Sequence, residues 1–592
     1  MPATSSTNIL APRLEDEQRA GADARVIDDR ESELIAEIMR EFSQMTVWRN
    51  TTALHCEEIA ELILPTSRNT FFYGNWNWPG MKKTQQQIDA SAALALHRFC
   101  AICDSLVTPR DMFWHGLTSD PDVMRDPLTR QWFQEVKLLL FQKRYAAHAN
   151  FQAQNYNNWQ SLGAFGNATM FVDLFDTSRF GGIGGFRYKA LPFGETFFGE
   201  NHQGKVDRMF RWFRRTAYQA VQQWGRQWLP ANLVSPLEQD SQWPYNFLHV
   251  VKPREGDFDP RRLDQRSMPF VSYYVSMEGR CLMAPESGYR TFPFAVSRYD
   301  QTPMEVYGRG PAHIVLPAMK TLNAQKVTFL KQGHRAADPV LLLGDDGLMD
   351  VKTRPGAQNR GGVTPDGKPL VHVLPHGDIK INIEMMQEER SIIDDVFLVS
   401  LFKVLTEHPD MTATQVVELV NEKGMLVAPT LGRQFTEYVG GLVEREMDLA
   451  LFAGWLPPVP PALARARGYY EVTNESPLAR AAKMNEAAGF NRWVENLQKV
   501  SVETQDPTWL DRVDNDTAAV DLADIYSVRP EWVASDDQVA AKRQARAQAE
   551  QQKQQLASLP GRAQMVTAQA KMAAAAPQGP GAAPNMAGPQ GP

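Results

Sequence analysis

Apolar side chains recur at helical spacing near the N-terminus and switch to alternation in the middle of the chain, and that change of period organises the sequence. From Asp29 to Leu64 a helical pattern runs through Leu34, Ile35, Ile38, Met39, Phe42, Met45 and Trp48. It ends at Pro65, which has no N–H to extend a helix. Helical patterns return at 84–107, 127–147 and 150–162, and Gly163 and Gly166 lead into the strand-like Thr169-Met170-Phe171-Val172. Phe193 to Phe198 and Val206 to Phe213 then flank Asn201-His202-Gln203-Gly204, which predicts a hairpin. Thr216 and Gln219 have the spacing of a capping box, and Gly225 ends the short helix it opens.

Farther on, the turn Gly308, Gly310, Pro311 feeds a long helical pattern from Tyr307 to about Gly333, with Ile314, Met319 and Leu322 near one face. A β-patterned insert follows: Val340-Leu341-Leu342-Leu343, a turn at Asp345-Asp346-Gly347, and Leu370-Val371-His372-Val373-Leu374. The glycine-rich run from Arg354 to Gly367 reads as an exposed, mobile loop. A second long helix covers Ile383 to Leu405 through Met386, Ile392, Ile393, Val396, Phe397 and Val404. Pro409 breaks it, Thr412 and Gln415 can cap the next helix (Val416, Val417, Val420 inward), and Gly424 stops that one. Leu426 to Arg433 is a loop before another helix toward Phe452. Asp536 to Ala573 is rich in Ala, Gln, Lys and Arg, so a helix there has little apolar surface to bury. It reads equally as a crown packed through small residues or as a solvated, fraying helix. The Pro-Gly-Ala-Gln tail beyond Pro577 reads as disordered.

Composition narrows the function more than the fold. At 592 residues several packed regions are expected, and 43% hydrophobic residues suffice for sizeable cores. Lys and Arg total 62 against 69 Asp and Glu, a net charge of −7. A chain that grips nucleic acid by its phosphates is usually basic, so the balance disfavours a sequence reader and permits a passage that DNA slides through. The polar, charged N-terminus does not read as a signal peptide, and no apolar run of about 18 residues exists. The expectation is a reduced, cytosolic product without a membrane span.

Cys100 and Cys103 form C-x-x-C with His97 nearby, which admits a zinc or redox site. No second C-x-x-C exists, Cys56 and Cys281 stand alone, and both sulfurs fall on the apolar side of a helix, so buried free thiols are preferred. Arg208, Arg211, Arg214 and Arg215 interleave with Phe210, Trp212 and Phe213, which suits nucleic-acid stacking. A strand with one buried and one solvated face explains the same residues and is preferred. Gly181-Gly182-Ile183-Gly184-Gly185 lacks the register of a dinucleotide loop and reads as a flexible turn. Asp345, Asp346 and Asp350 lack the spacing of a calcium loop. No phosphate loop of G-x-x-x-x-G-K form and no H-E-x-x-H occurs, and Glu384, Glu388 and Glu389 read as a solvated helix face rather than acid–base groups. No catalytic, cofactor or metal residue is assigned.

The block Ser287-Gly288-Tyr289-Arg290-Thr291-Phe292-Pro293-Phe294, followed by Tyr307 to Asn323, resembles the portal, or head-to-tail connecting, proteins of short-tailed bacteriophages. Trp48 with Glu58 to Pro65, Met411-Thr412-Ala413-Thr414 and Ser476-Pro477-Leu478-Ala479-Arg480 support the resemblance, which covers roughly residues 30 to 530. It implies an α+β, mainly helical subunit with a wing, a two-helix stem, a β-containing clip and a helical C-terminal crown or barrel. The order implied is a flexible arm at 1–28, wing at 29–302, first stem helix at 303–335, clip at 336–379 and second stem helix at 380–405. A tunnel-loop region follows at 406–435, wing and crown helices at 436–500, crown and barrel helix at 501–573, and a disordered tail at 574–592.

The resemblance further implies a homo-oligomeric ring, dodecameric in the virion, at the capsid vertex. Double-stranded DNA would pass through it without sequence specificity during packaging and ejection. Its implied partners are the terminase large subunit, the major capsid or scaffolding protein and a tail adaptor; no cofactor is implied. Candidates for the channel wall are Lys380, Glu384, Glu388, Lys423 and Arg433. Two other classes remain open: a non-catalytic tail or adaptor protein, and a metal-dependent DNA-processing enzyme.

Overall fold

The computed structural model describes residues 28–557 apart from 73–79, 176–183, 231–232, 235–241, 257–263, 344–350, 355, 361, 375–378, 401–430, 505, 526–532 and 535. It separates into two compact units, residues 1–483 and 484–592.

Helix α1 (Asp29–Leu62) buries Ile35, Ile38, Phe42, Arg49, Ala53, Cys56 and Ala60, a stripe at spacings of three, four and seven. The sequence pattern placed Trp48 on that stripe, but Trp48 is 76% exposed and Arg49 takes the inward position. Arg49 can be buried because its Nη1 donates to the carbonyls of Gly194 and Thr196, and its guanidinium lies 4.2 Å from the centre of the Phe197 ring. Helix α2 (Ser91–Val107) begins later than the pattern from residue 84 suggested. It is followed by β1 (His115–Thr118), α3 (Pro127–Arg144) and α4 (Phe151–Phe165), which ends on Gly166 at φ 69°.

The strands then run β2 (Asn167–Leu174), β3 (Phe186–Leu191), β4 (Thr196–Glu200) and β5 (Val206–Thr216). Helix α5 (Ala217–Trp224) has the capping box and Gly225 terminus read from its sequence. Strands β6 (Pro244–Pro253), β7 (Phe270–Ser276), β8 (Cys281–Leu282), β9 (Ser287–Tyr289) and β10 (Phe294–Arg298) complete the region. An antiparallel sheet orders β4-β5-β6-β7-β8 with β9 also on β7, and a second sheet orders β10-β2-β3. The β4–β5 hairpin turns where expected, with Asn201 Oδ1 accepting from the N–H groups of Gln203 and Lys205.

The expectation of a solvated face on β5 is corrected. Phe210 and Trp212 pack against Ile35, Ile38 and Phe42 of α1, while Phe213 packs with Phe247 and Ala220 on the opposite side. The arginines stack within the chain: Arg211 and Arg215 on Phe213, and Arg214 on Trp212, at 4.7–5.2 Å. Covering both faces turns a strand with alternating charge into a core strand, because each guanidinium lies along an aromatic ring.

The helix after the glycine–proline turn is α6 (Pro311–Ala337), 27 residues and hence about 40 Å long. Strands β11 (Leu341–Leu343) and β12 (Val371–Val373) pair antiparallel with Leu341 opposite Val373, and α7 (Ile379–Val396) returns along α6. Two readings change here. Ile314 is 67% exposed, and the buried stripe of α6 is Ala312, Val315, Met319 and Leu322. The second helix breaks after Val396, with Leu398 at φ 62°, before helical residues resume at 399–400; the rest of the expected span, 401–405, lies outside the described residues.

Helix α8 (Gly440–Phe452), entered through a wide turn at Phe435–Val439, packs on β2 and β10. Strand β13 (Glu471–Asn474) pairs with β1, closing a sequence span no local pattern revealed. Helix α9 covers Pro477–Thr504. In the second unit, α10 (Asn515–Ile525) and α11 (Asp536–Ala557) are joined by Arg543 Nη1 donating to Asp516 at 2.8 Å.

Several expectations lie outside the described residues: the N-terminal arm up to residue 27, the turn at 345–347, Gly181 to Ile183, the motif at 411–414 with the cap at Thr412, most of the 406–435 region, and residues 558–592.

Candidate functional site: the paired helices and their anchorage

The base of α6 is held by backbone contact, which explains the glycines in its sequence block. A Cβ on Gly166 would lie 2.3 Å from the Arg309 carbonyl carbon and the Gly310 nitrogen, and one on Gly310 would lie 2.6 Å from the Gly166 nitrogen. Only hydrogen fits in either place. Asn167 completes the joint: its Oδ1 accepts from the Gly308 N–H and its Nδ2 donates to the Gly308 and Phe165 carbonyls. The N–H of Tyr299 donates to the Gly166 carbonyl and that of Arg309 to the Asp300 carbonyl. His313, in the first turn, accepts the Gly310 N–H on Nδ1 at 3.1 Å. Burial, then His55 and Arg309, lower the His313 pKa to about 4, so the ring is neutral as this bond requires.

Beside this joint Arg298 is nearly buried between two carboxylates, Glu200 at 2.7 Å and Glu437 at 2.9 Å. Burial disfavours its charge, but the Glu437 and Glu200 hydrogen bonds reverse that and leave its pKa raised. The motif glycines and this clamp together fix the direction in which α6 leaves the body.

Higher up, Asn323 accepts the backbone N–H groups of Ile88 and Asp89 on Oδ1. The Asp89 carboxylate receives Arg390 of α7 at 2.8 Å, and Arg390 also donates to Ser91. Burial works against the Asp89 carboxylate, yet hydrogen bonds from Ser91 and Arg390 hold its pKa below the usual range. One loop before α2 thus fastens both long helices at the same level. Toward their free ends Asn382 donates to Gln332, which sets the antiparallel register.

Of the channel candidates, Lys380, Glu384 and Glu388 fall on successive turns of α7, and the two glutamates are exposed. Arg433 lies on a different element, the helical turn before Phe435, half-buried, with its Nη1 lacking a hydrogen-bond partner among the described residues. Lys423 lies outside the described residues. Sequence reasoning missed Asn167, Arg298, Asn323 and Arg390. An asparagine inside an otherwise apolar helix stripe, as at 323, was the available signal.

Elsewhere, titratable groups are fastened rather than poised. Arg144 and Glu446, both wholly buried, pair through Arg144 Nε to Glu446 Oε1 at 2.9 Å, and Tyr188 donates to the same oxygen at 2.6 Å. Burial lowers the Arg144 pKa, but Glu446 more than restores it. Cys100 and Cys103 are buried, burial pushes the Cys100 thiol up to about 12, and exposed His97 bonds Tyr156 instead. These are core thiols, as preferred from the sequence. Among the described residues no three metal-ligating side chains converge, and no helix is long and apolar enough to cross a membrane.

The sequence from 36 to 534 matches the family model described as bacteriophage head to tail connecting protein. The chain is 27% identical over 533 residues to a probable portal protein of Bordetella phage BPP-1, covering 88% of this chain and 93% of that one. It is 23% identical over 541 residues to the portal protein of Salmonella phage epsilon15, covering 88% and 92%. A subunit in the neck of a native GTA particle computed with C12 symmetry aligns over 64% of this chain and 84% of its own, at 13% identity and a TM-score of 0.29. That likeness is too loose to carry an argument. The family match spans most of the sequence and includes the glycine–proline joint and both long helices described above: the chain belongs to the bacteriophage head-to-tail connecting protein family.

Proposed function

We propose that this chain is the portal subunit of a phage, several copies of which close a ring around an axial passage for double-stranded DNA. The observation that carries the reading is the pair α6 and α7: long, antiparallel, joined through a small β hairpin, and tied to the body by the Asn323–Asp89–Arg390 clamp. In this reading α6 and α7 are the stem and β11–β12 the clip. The body up to residue 302 and from 436 to 500 forms the wing, and residues 406–435 supply the tunnel loop.

The chain works mechanically, without catalysis. Lys380, Glu384 and Glu388 stand at channel height, and the net charge of −7 keeps phosphates from being held as they pass. The clip docks the terminase large subunit during packaging and a tail adaptor afterwards, while the wing meets the capsid or scaffolding protein. Twelve copies in the virion is the number expected of the family.

Images of the purified chain test this directly: rings with a central hole are expected. A chain that stays monomeric at every concentration ends the reading, and magnesium-dependent cleavage of DNA would replace it with an enzyme.

A further inference from the structure

The two long helices divide their charge. Helix α6 carries Lys320, Lys326, Lys331 and Arg335 and no carboxylate, whereas α7 carries Glu384, Glu388, Glu389, Asp394 and Asp395 against Lys380 and Arg390. Part of this charge is matched inside the subunit: Lys320 meets Glu58, and Lys326 and Arg390 meet Asp89. Lys331, Arg335, Glu384 and Glu388 are exposed and make no ion pair with a described residue.

Helical geometry places the unmatched groups consistently. Lys331 and Arg335, four apart, lie on the side of α6 away from buried Val315, Met319 and Leu322. Glu384 and Glu388, also four apart, lie on the side of α7 away from buried Met386 and Ile393. Each stripe therefore faces away from the described residues that its helix packs on.

Resting on the portal reading, we infer that these stripes form the seam between neighbouring copies, the basic face of α6 in one meeting the acidic face of α7 in the next. Rotation about a ring axis preserves height, so the partners must stand level within one subunit. They do. The Gln332–Asn382 hydrogen bond sets Lys331 beside Ile383, which puts Lys331 and Glu384 about one residue, or about 1.5 Å, apart along the helix axis. Arg335 and Glu388 lie about one turn to either side, within reach of long side chains. Opposite charge on two separate stripes lets the basic stripe of one copy meet the acidic stripe of the next, the head-to-tail contact that closes a ring when its rotation closes. The seam therefore carries Glu384 and Glu388 as subunit contacts at the height of the channel.

The test exploits the head-to-tail geometry. Lys331→Glu with Arg335→Glu, and separately Glu384→Lys with Glu388→Lys, should each raise the concentration of full chain needed for ring formation by about tenfold or more in sedimentation velocity. Mixing the two variants in equal amounts should restore rings, because every seam then joins opposite charges again. Wild-type-like assembly of either variant overturns the inference, and so does a mixture that fails to recover. Thermal unfolding of each variant before mixing checks the fold. Should one misfold, wild-type rings that assemble equally well between about 0.05 and 0.5 M salt overturn the inference by themselves. A wild-type chain that never forms rings sinks the portal reading first, which keeps the two failures distinct.

Discussion

The body and the pair of long helices, α6 and α7, treat charge in opposite ways. In the body, Arg144 is wholly buried against Glu446, and Arg298 is held between Glu200 and Glu437. Along the outer part of that pair, Lys331, Arg335, Glu384 and Glu388 face solvent. A buried charge without its partner is strongly destabilising, so body charges act on folding. An exposed charge costs little alone and is free to act on whatever approaches. The same residue types thus hold the fold in one region and stay free to meet other molecules in the other.

The largest effect should follow from breaking the body pair. Glu446→Ala leaves the Arg144 guanidinium buried and uncompensated and should cost about 3–5 kcal/mol in urea unfolding. A loss below about 1 kcal/mol would erase the contrast between the regions. Next comes the joint. Gly166→Ala combines a left-handed backbone with contact against the Arg309–Gly310 peptide, and should cost at least about 2 kcal/mol. If its melting temperature matches the wild type, the close approach is not what these glycines are for.

Acid should act on the body through its neutral histidines. His249 is buried beside Ser272 and stacked on Tyr274, and burial, then Arg211, lower its pKa to about 3. His313 is lowered to about 4. Both folded values lie below the unfolded one, so their contribution is complete well above pH 6.5 and is lost as pH falls, toward about 4 for His313 and about 3 for His249. Between pH 6.5 and 5 the loss is about 1.6 kcal/mol for each. Denaturant titrations at the two pH values read the sum, and His313→Asn should remove part of it; a flat profile would contradict both assignments.

Asn323→Ala strips the acceptor from two backbone N–H groups at the clamp and should cost about 1–2 kcal/mol, with faster amide exchange at Ile88 and Asp89. Unchanged exchange there would mean the clamp does not join the long helices to the body. Smallest of all, Glu384→Gln should leave monomer stability within about 0.5 kcal/mol. A larger drop would place Glu384 among the folding charges and blur the comparison.

Much of this was legible along the chain, because period and punctuation are local. The capping box at Thr216, the β4–β5 turn, two long helices after the glycine–proline turn and the β-patterned strands between them follow from side-chain spacing and from glycine and proline chemistry. Two errors in helix facing share one cause. Trp48 and Ile314 are apolar and sit at helical spacing, yet they face outward, while Arg49 turns inward to carbonyls contributed 145 and 147 residues away. Hydrophobicity told which side a helix tends to bury, not which long-range acceptors would make a polar inward residue acceptable.

The placement of the channel candidates also depended on distant groups. Helical spacing aligned Lys380, Glu384 and Glu388 on α7, but it said nothing of Asp89, whose bond to Arg390 fixes where that helix stands. The amino-acid order by itself determined the elements, the absence of recognised catalytic motifs, and the glycines that allow two backbones to touch. The tertiary structure alone decided which charges were matched, because pairing depends on groups far apart in sequence arriving at one height. That is why the body's ion pairs, the clamp and the unmatched stripes of α6 and α7 could only be seen once the chain was folded.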